Sequence, residues 1–143
     1  IVWATGYDIK FPFFDDASLQ ADADNRPPPL FKRIMKPDVP DLFYMGLAQP
    51  LPTLVNFAEQ QSKLVAAYLA GRYAPPSADD MARIIAADED YYTGQYYAAR
   101  RHTIQLDFDH YCRALKTELA RGEKRAAKKG FALPVPSQAA ELA

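Results

Sequence analysis

Cysteine, histidine and glycine are scarce in this 143-residue chain, at one, two and six copies. With Cys112 alone there is no intrachain disulfide and no cysteine-rich zinc site. The glycines never fall into Gly-x-Gly-x-x-Gly or P-loop spacing, so any dinucleotide phosphate-binding turn would have to lie upstream of Ile1. Gly-x-Ser-x-Gly and metal-ligand spacings are absent as well. Neither sign of charge prevails: 17 basic residues against 18 acidic ones give a formal net charge of -1. That removes the global electrostatic case for nucleic acid or an anionic membrane surface as partner. The longest apolar runs fall far short of the ~20 residues that a membrane-spanning helix needs. No signal-peptide pattern is visible, and a cytoplasmic location is the expectation.

What the chain has in abundance is proline, at twelve, and ring-bearing side chains, with nine Tyr and eight Phe. The prolines cluster at 27–29, 37–40, 50–52, 75–76 and 134–136 and divide the chain into short elements joined by stiff turns. Ile1 to Ala4 is an apolar run that stops at Thr5-Gly6, which reads as a buried strand entering a tight turn. A domain seldom begins inside its own core, so the chain reads as the last part of a larger protein. Tyr7 to Phe14 is an aromatic-rich connection, and Asp15 to Pro29 a polar surface loop. Leu30 to Met35 alternates as a short edge strand, and Leu42 to Leu47 as a second apolar strand, followed by a turn at Gln49 to Pro52.

Three helices are expected next. The first runs over about 56–70, with Asn56 as N-cap, Glu59 at capping-box spacing and Gly71 at its C-terminal end. Its apolar stripe is Leu54, Ala58, Gln61, Val65 and Leu69, widened by Phe57, Leu64 and Tyr68. The second starts at the cap Ser77, with Asp79 and Asp80 suited to the positive end of its dipole. The third spans about 107–122 and carries Tyr111, Cys112 and Leu115 on its stripe. The domain plan is strands plus helix over 1–72, a helical extension over 73–122 and a basic, flexible tail over 123–143. The fold class is α/β: two or three strands are too few for a complete sheet, but they suit the terminal strands of an open α/β sheet followed by a C-terminal helical extension.

Four segments can carry chemistry, and each also has a structural reading. Ala4-Thr5-Gly6 at a strand end lies where ligands bind in α/β sheets, or is a plain strand-ending turn. Gly46 to Pro50 again ends a strand before a helix, whose free N–H groups suit a flavin's carbonyl edge or a phosphate; otherwise it is a loop with a structural cap. Gln61 faces the apolar side of its helix, so its amide needs a partner, either backbone or cofactor. Arg100 to Asp107 can bind a phosphate, or be a surface connection capped at Thr103 or Asp107. His110 and Cys112 are two apart, a spacing that does not share a helix face, so they form no catalytic pair.

Taken in order, these segments resemble the C-terminal end of the flavin-containing monooxygenases. Val2-Trp3-Ala4-Thr5-Gly6-Tyr7 and Phe11-Pro12-Phe13 look like that family's Ala-Thr-Gly-Tyr motif and trailing Phe-Pro-Phe. Leu30-Phe31-Lys32, then Phe43-Tyr44-Met45-Gly46-Leu47-Ala48-Gln49-Pro50-Leu51, are similar to its next strands and its Gly-Leu-x-Gln-Pro turn. Glu59-x-Gln61 and Arg101 to Phe108, with Tyr111 and Leu115, fit the segments after it. The resemblance covers roughly 1–119. Two positions depart from the pattern: Pro52, which has no N–H to donate, stands where the family usually has Gly, and Asn56 where it often has Pro.

The resemblance implies terminal strands of a Rossmann-like FAD- and NAD(P)-binding sheet, with FAD and NADPH as cofactors. Ala4, Thr5 and Gly6 would lie beside the flavin, and Gln49, Pro50, Thr53 and Leu54 at its pyrimidine edge. The implied reaction oxygenates a small N- or S-containing substrate with O2 through a flavin C4a-hydroperoxide, the cofactor carrying the hard chemistry. No catalytic residue of the family falls within this chain, which alone is expected not to turn over. Two other readings stay open: a Baeyer-Villiger-type flavin monooxygenase, and a non-catalytic fragment whose apolar strand edges drive homo-oligomerisation.

Overall fold

The computed structural model describes residues 1–3, 6–51, 53–94 and 103–129. Helix α1, Leu54–Leu69, starts two residues before the expected Asn56. Its N-cap is Thr53, whose side-chain oxygen accepts the Asn56 N–H at 3.3 Å, so Asn56 receives no capping role and sits in the first turn. We expect Thr53→Ala to cost about 1 kcal/mol, and Asn56→Ala to change stability by only a few tenths, measured by urea unfolding. The other end is as expected: Gly71, at φ 70°, donates to the Tyr68 carbonyl at 2.9 Å, and Arg72 donates to that of Ala67 at 2.8 Å, the two bonds of a Schellman motif. The buried face is Phe57, Gln61, Leu64, Ala67 and Tyr68, while Leu54 and Leu69, expected on the stripe, are 49% and 55% exposed. The inward face is thus rotated toward Phe57 and Leu64.

Helix α2, Ala78–Thr93, begins at the expected cap, Ser77, whose hydroxyl accepts the Asp80 N–H. It buries Met81, Ile85 and Tyr92. Helix α3, Phe108–Lys129, does not stop at Gly122, and residues 123–129 of the expected flexible tail are helical. They are held by packing: Ala126 is buried, and the Arg125 guanidinium pairs with the buried Glu118. Asp107 caps α3 by accepting the His110 N–H at 2.7 Å.

The expected strands are where sequence and structure diverge most. Ile1, Val2 and Trp3 form no strand and are 107%, 95% and 80% exposed, since nothing among the described residues offers them a ladder to join. Leu30 to Met35 is not an alternating strand but a tight turn. Lys32 and Arg33 both lie in the left-handed region, at φ 50° and 56°, and the Ile34 N–H closes the turn on the Phe31 carbonyl at 3.0 Å. Such a backbone costs of order 1–3 kcal/mol per non-glycine residue. Two buried groups hold it from outside. The Tyr111 hydroxyl donates to the Lys32 carbonyl at 2.7 Å, and the Gln61 amide donates to that of Arg33 at 3.0 Å. Lys32 itself is buried and paired with Asp88 of α2 at 2.8 Å. Leu42 to Leu47 contributes only an isolated bridge, Met35 to Phe43.

The one sheet among the described residues is a parallel pair: β1, Gln49–Leu51, and β2, Gln105–Asp107. Gln49 lies opposite Gln105, Pro50 opposite Leu106 and Leu51 opposite Asp107. The stretch expected as a turn is therefore a short strand. Pro50 is tolerated because both strands of a two-stranded sheet are edges. Parallel pairing needs a crossover, and α1 and α2 lie within it. Among the described residues the architecture is mixed α/β, with three α-helices around this small sheet. One cluster of buried side chains runs from Phe31 through Phe57, Leu64 and Tyr73 to Tyr111 and Leu115, joining all three helices.

Tyr68 adds a pH limit to this core. Its hydroxyl donates to Asp41 at 2.9 Å, and burial, then that carboxylate, push its phenol up to about 12. An unfolded tyrosine titrates near ~10. The folded value is raised, so this contribution is complete below pH ~10 and is lost as pH rises toward 12. Alkaline spectrophotometric titration of Tyr68→Phe is expected to lack one late-ionising phenol and to show a shallower loss of stability over that window.

Candidate functional site

The corner where β1 turns into α1 gathers the expected site residues. Gly46 opens it at φ 74°, and its N–H is fixed by the Gln61 side-chain oxygen at 2.8 Å. The Ala48 N–H closes on the Gly46 carbonyl at 2.9 Å, and the Gln49 N–H donates to that of Ile104 at 2.8 Å. Gln49 and Pro50 then pair with β2, and Thr53 caps the helix. Leu54 folds back over the turn, its Cδ1 3.8 Å from where a Cβ on Gly46 would stand. The Asn56 N–H is taken by Thr53, whereas the N–H groups of Leu54 and Val55, in the first helical turn, have no intrahelical acceptor. Around these donors the surface is apolar: Met45, Leu54 and Val55 are 43%, 49% and 78% exposed. The corner therefore presents oriented N–H groups and a positive helix end inside an apolar lip, which suits the electron-rich edge of a planar, otherwise apolar ring.

Gln49, Pro50, Thr53 and Leu54 are thus brought together. Ala4 and Thr5 lie outside the described residues, as does Pro52. Gly6 is described: it is exposed, at φ 87°. The backbone just after it is held by Asn25, whose carbonyl accepts the Thr103 hydroxyl at 2.6 Å, one residue before the Ile104 that pairs with Gln49. Sequence reasoning missed Asn25, placing it in a featureless polar loop; its tolerance of left-handed backbone was the available signal. Gln61 finds backbone partners on both sides of its amide, the structural one of its two readings. Arg100, Arg101 and His102 lie outside the described residues, so the phosphate reading of that run rests on sequence alone.

A half-open aromatic cleft of about 340 Å3 borders the same corner, lined by Phe11, Phe13, Phe14, Tyr44 and Met45 among others. Its rings stack edge-on, with Phe13 and Phe14 centroids 4.7 Å apart and Phe11 and Tyr44 5.4 Å apart. Cys112 is half-buried, its thiol pushed up by burial, and His110 stacks on Tyr91 at 3.9 Å. That arrangement offers no activated nucleophile. Among the described residues no group of His, Cys, Asp and Glu can hold a metal, and no helix is long and apolar enough to cross a membrane.

A mixed α/β chain with a strand-to-helix corner of this kind falls within a known class. The family model described as flavin-binding monooxygenase-like matches residues 1–128, and the chain belongs to that family. Flavin-containing monooxygenase 5 of Oryctolagus cuniculus is 29% identical over 110 residues, which make up 76% of this chain and 20% of that protein. Flavin-containing monooxygenase FMO GS-OX-like 2 of Arabidopsis thaliana is 42% identical over 82 residues, or 57% of this chain and 17% of that one. The solved structure of S-allyl-L-cysteine S-oxygenase from Allium sativum matches with a TM-score of 0.63 at 26% identity, over 87% of this chain and 30% of that chain. The relatives are enzymes, and this chain spans about a fifth of the length of the rabbit one.

Proposed function

We propose that this chain is the C-terminal portion of an FAD- and NADPH-dependent monooxygenase that oxygenates nucleophilic nitrogen or sulfur in a small substrate. In this reading it supplies the terminal part of a Rossmann-like sheet and one edge of the flavin site. The observation that carries the proposal is the β1–α1 corner. Gly46 leaves room for a close approach, Thr53 uses one N–H of the first helical turn and leaves others aimed outward, and Met45, Leu54 and Val55 form an apolar rim. The fit is to a ring with an electron-rich edge rather than to a phosphate, because an apolar lip of this kind would disfavour a doubly charged group.

Flavin, when bound, supplies the redox and oxygen chemistry. The chain's own residues would hold it: the Leu54 and Val55 N–H groups would donate to the ring's carbonyl edge, the backbone at Gly6 and Gly46 would orient it, and the exposed apolar residues would exclude water. Sulfur oxygenation is favoured within the proposed class by the likeness to the Allium sativum S-oxygenase.

The test is a chimera in which residues 1–128 replace the matched segment of that S-oxygenase. We expect it to purify with flavin bound and to consume NADPH in a sulfide-dependent way. A folded chimera that retains no flavin would refute the proposal. The 143-residue chain alone, titrated with FAD and followed by flavin fluorescence, is expected to bind weakly; tight stoichiometric binding would show that it holds more than one edge.

A further inference from the structure

Asn25 is 6% exposed within a loop whose neighbours Asp22, Asp24 and Arg26 are open to solvent. Its φ of 63° places it in the left-handed region, which Asn enters more readily than most residues. Both ends of its side chain are used on one stretch of backbone: Oδ1 accepts the Ile9 N–H at 2.6 Å, and Nδ2 donates to the Tyr7 carbonyl at 3.2 Å. The side chain thus stands in for a strand neighbour, offering an acceptor and a donor to residues 7–9. Its own carbonyl accepts the Thr103 hydroxyl at 2.6 Å. Thr103 adjoins Ile104, whose carbonyl accepts the Gln49 N–H at 2.8 Å. A continuous series of polar contacts therefore runs from the backbone after Gly6, through one buried Asn, to the first residue of the β1–α1 corner.

We propose that Asn25 is a positioning residue that sets the backbone following Gly6 against the corner at Gln49 and Thr53, so that both stretches of backbone meet the same flavin. This rests on the flavin reading above. Neither stretch has the means to do so alone. Ile1 to Trp3 are exposed and form no strand, and although Phe11 and Phe14 pack against Tyr44 beside the corner, the hydrogen-bonded route from Gln49 to residues 7–9 runs through Thr103 and Asn25. The left-handed backbone at Asn25 points its carbonyl and its side chain to opposite partners, which is what a coupling residue requires.

Three variants of the full chain test this. Asn25→Gly keeps the backbone conformation and removes both side-chain bonds. Thr103→Val removes the donated hydroxyl at nearly constant shape, and Thr103→Ser keeps it. Amide hydrogen exchange read by NMR follows Ile9, Gln49 and a core amide, Leu64, separately. We expect Asn25→Gly and Thr103→Val each to speed exchange at both Ile9 and Gln49 by about tenfold, Leu64 to stay within about twofold, and Thr103→Ser to behave as the parent. Acceleration at Ile9 alone, or equal acceleration at all three amides, would overturn the proposal, since the first means no coupling and the second general loss of stability. In the flavin-holding chimera, Asn25→Gly is expected to weaken flavin binding about tenfold and Thr103→Ser not at all. Unchanged affinity in Asn25→Gly would overturn the positioning role. A parent chimera that holds no flavin would instead refute the reading beneath it, and the exchange data would show which of the two had failed.

Discussion

Gly122→Ala is expected to destabilise the chain by about 3 kcal/mol, although helix propensity favours alanine over glycine there by ~1 kcal/mol. Gly122 lies inside α3, and a Cβ on it would stand 2.0 Å from both Cδ2 and Cε2 of Tyr73. Carbon atoms in contact prefer ~3.5–4.0 Å, so either the ring or the backbone must move. The ring is poorly placed to move. Tyr73 is fully buried, and its hydroxyl donates to the Glu118 carboxylate at 3.0 Å. Glu118 is 3% exposed and is also held by the Arg125 guanidinium, whose Nε donates to the Ala74 carbonyl at 2.9 Å. The backbone is pinned as well, with the Ala74 N–H donating to the Gly122 carbonyl at 3.1 Å. Displacing Tyr73 would weaken a hydrogen bond to a buried charge, worth ~1.5–3 kcal/mol. Urea unfolding measures the loss. Tyr73→Ala removes the obstacle, so the double variant should be less destabilised than the sum of the singles by more than ~1 kcal/mol. A raised midpoint for Gly122→Ala alone would show that the close approach does not exist.

The same glycine explains why the sequence misplaces the end of α3. A glycine after a periodic stripe reads as a stop, but this one is required by a ring 49 positions upstream, which no local pattern reveals. Where the determinants are local, the reading succeeds. Ser77 with Asp80 three residues on starts α2, and Gly71 ends α1, because each is a contact within one turn. At the start of α1 two capping residues stand three apart, and the chain uses Thr53 rather than Asn56; this moves the cap three residues back and presents Leu54 and Val55 outward.

Strands fared worse for a physical reason. A helix satisfies its backbone from its own residues, whereas a strand needs a neighbour. Ile1 to Trp3 have the composition of a strand without a partner among the described residues, while Gln49–Leu51, with a proline in the middle, becomes a strand because Gln105–Asp107 lies alongside. The stretch at 30–35 does not alternate in the structure: all but Arg33 are buried, in a tight turn whose two left-handed residues are held by Gln61 and Tyr111. The candidate site divides in the same way. Gln49, Pro50, Thr53 and Leu54, which the resemblance implied as one edge of the site, stand together because they are nearly consecutive. Asn25 was not legible, because its link to Thr103 spans 78 positions.

Gln61→Leu is expected to cost about 3 kcal/mol and to release the Gly46 turn while leaving the helices in place. Gln61 is fully buried and is the common partner of two backbone groups from different segments: the Gly46 N–H at 2.8 Å and the Arg33 carbonyl at 3.0 Å. Leucine fills a similar volume and gains on transfer from water, but it satisfies neither group. Each unsatisfied buried group costs ~1–3 kcal/mol, more than the hydrophobic gain returns. Part of the left-handed turn survives, because Tyr111 still donates to the Lys32 carbonyl. Gln61→Glu should be worse than Gln61→Leu at neutral pH, since it keeps an acceptor for Gly46 but turns a buried negative charge toward the Arg33 carbonyl. Urea unfolding gives the stabilities, and the exchange rate of the Gly46 amide reports the turn. A Gln61→Leu variant within ~0.5 kcal/mol of the parent would mean that water or a shifted backbone replaces the amide. Because Gly46 opens the proposed flavin corner, the same variant in the chimera should hold flavin less tightly even at temperatures where the fold is intact. That separates a turn that shapes the site from one that merely joins a strand to a helix.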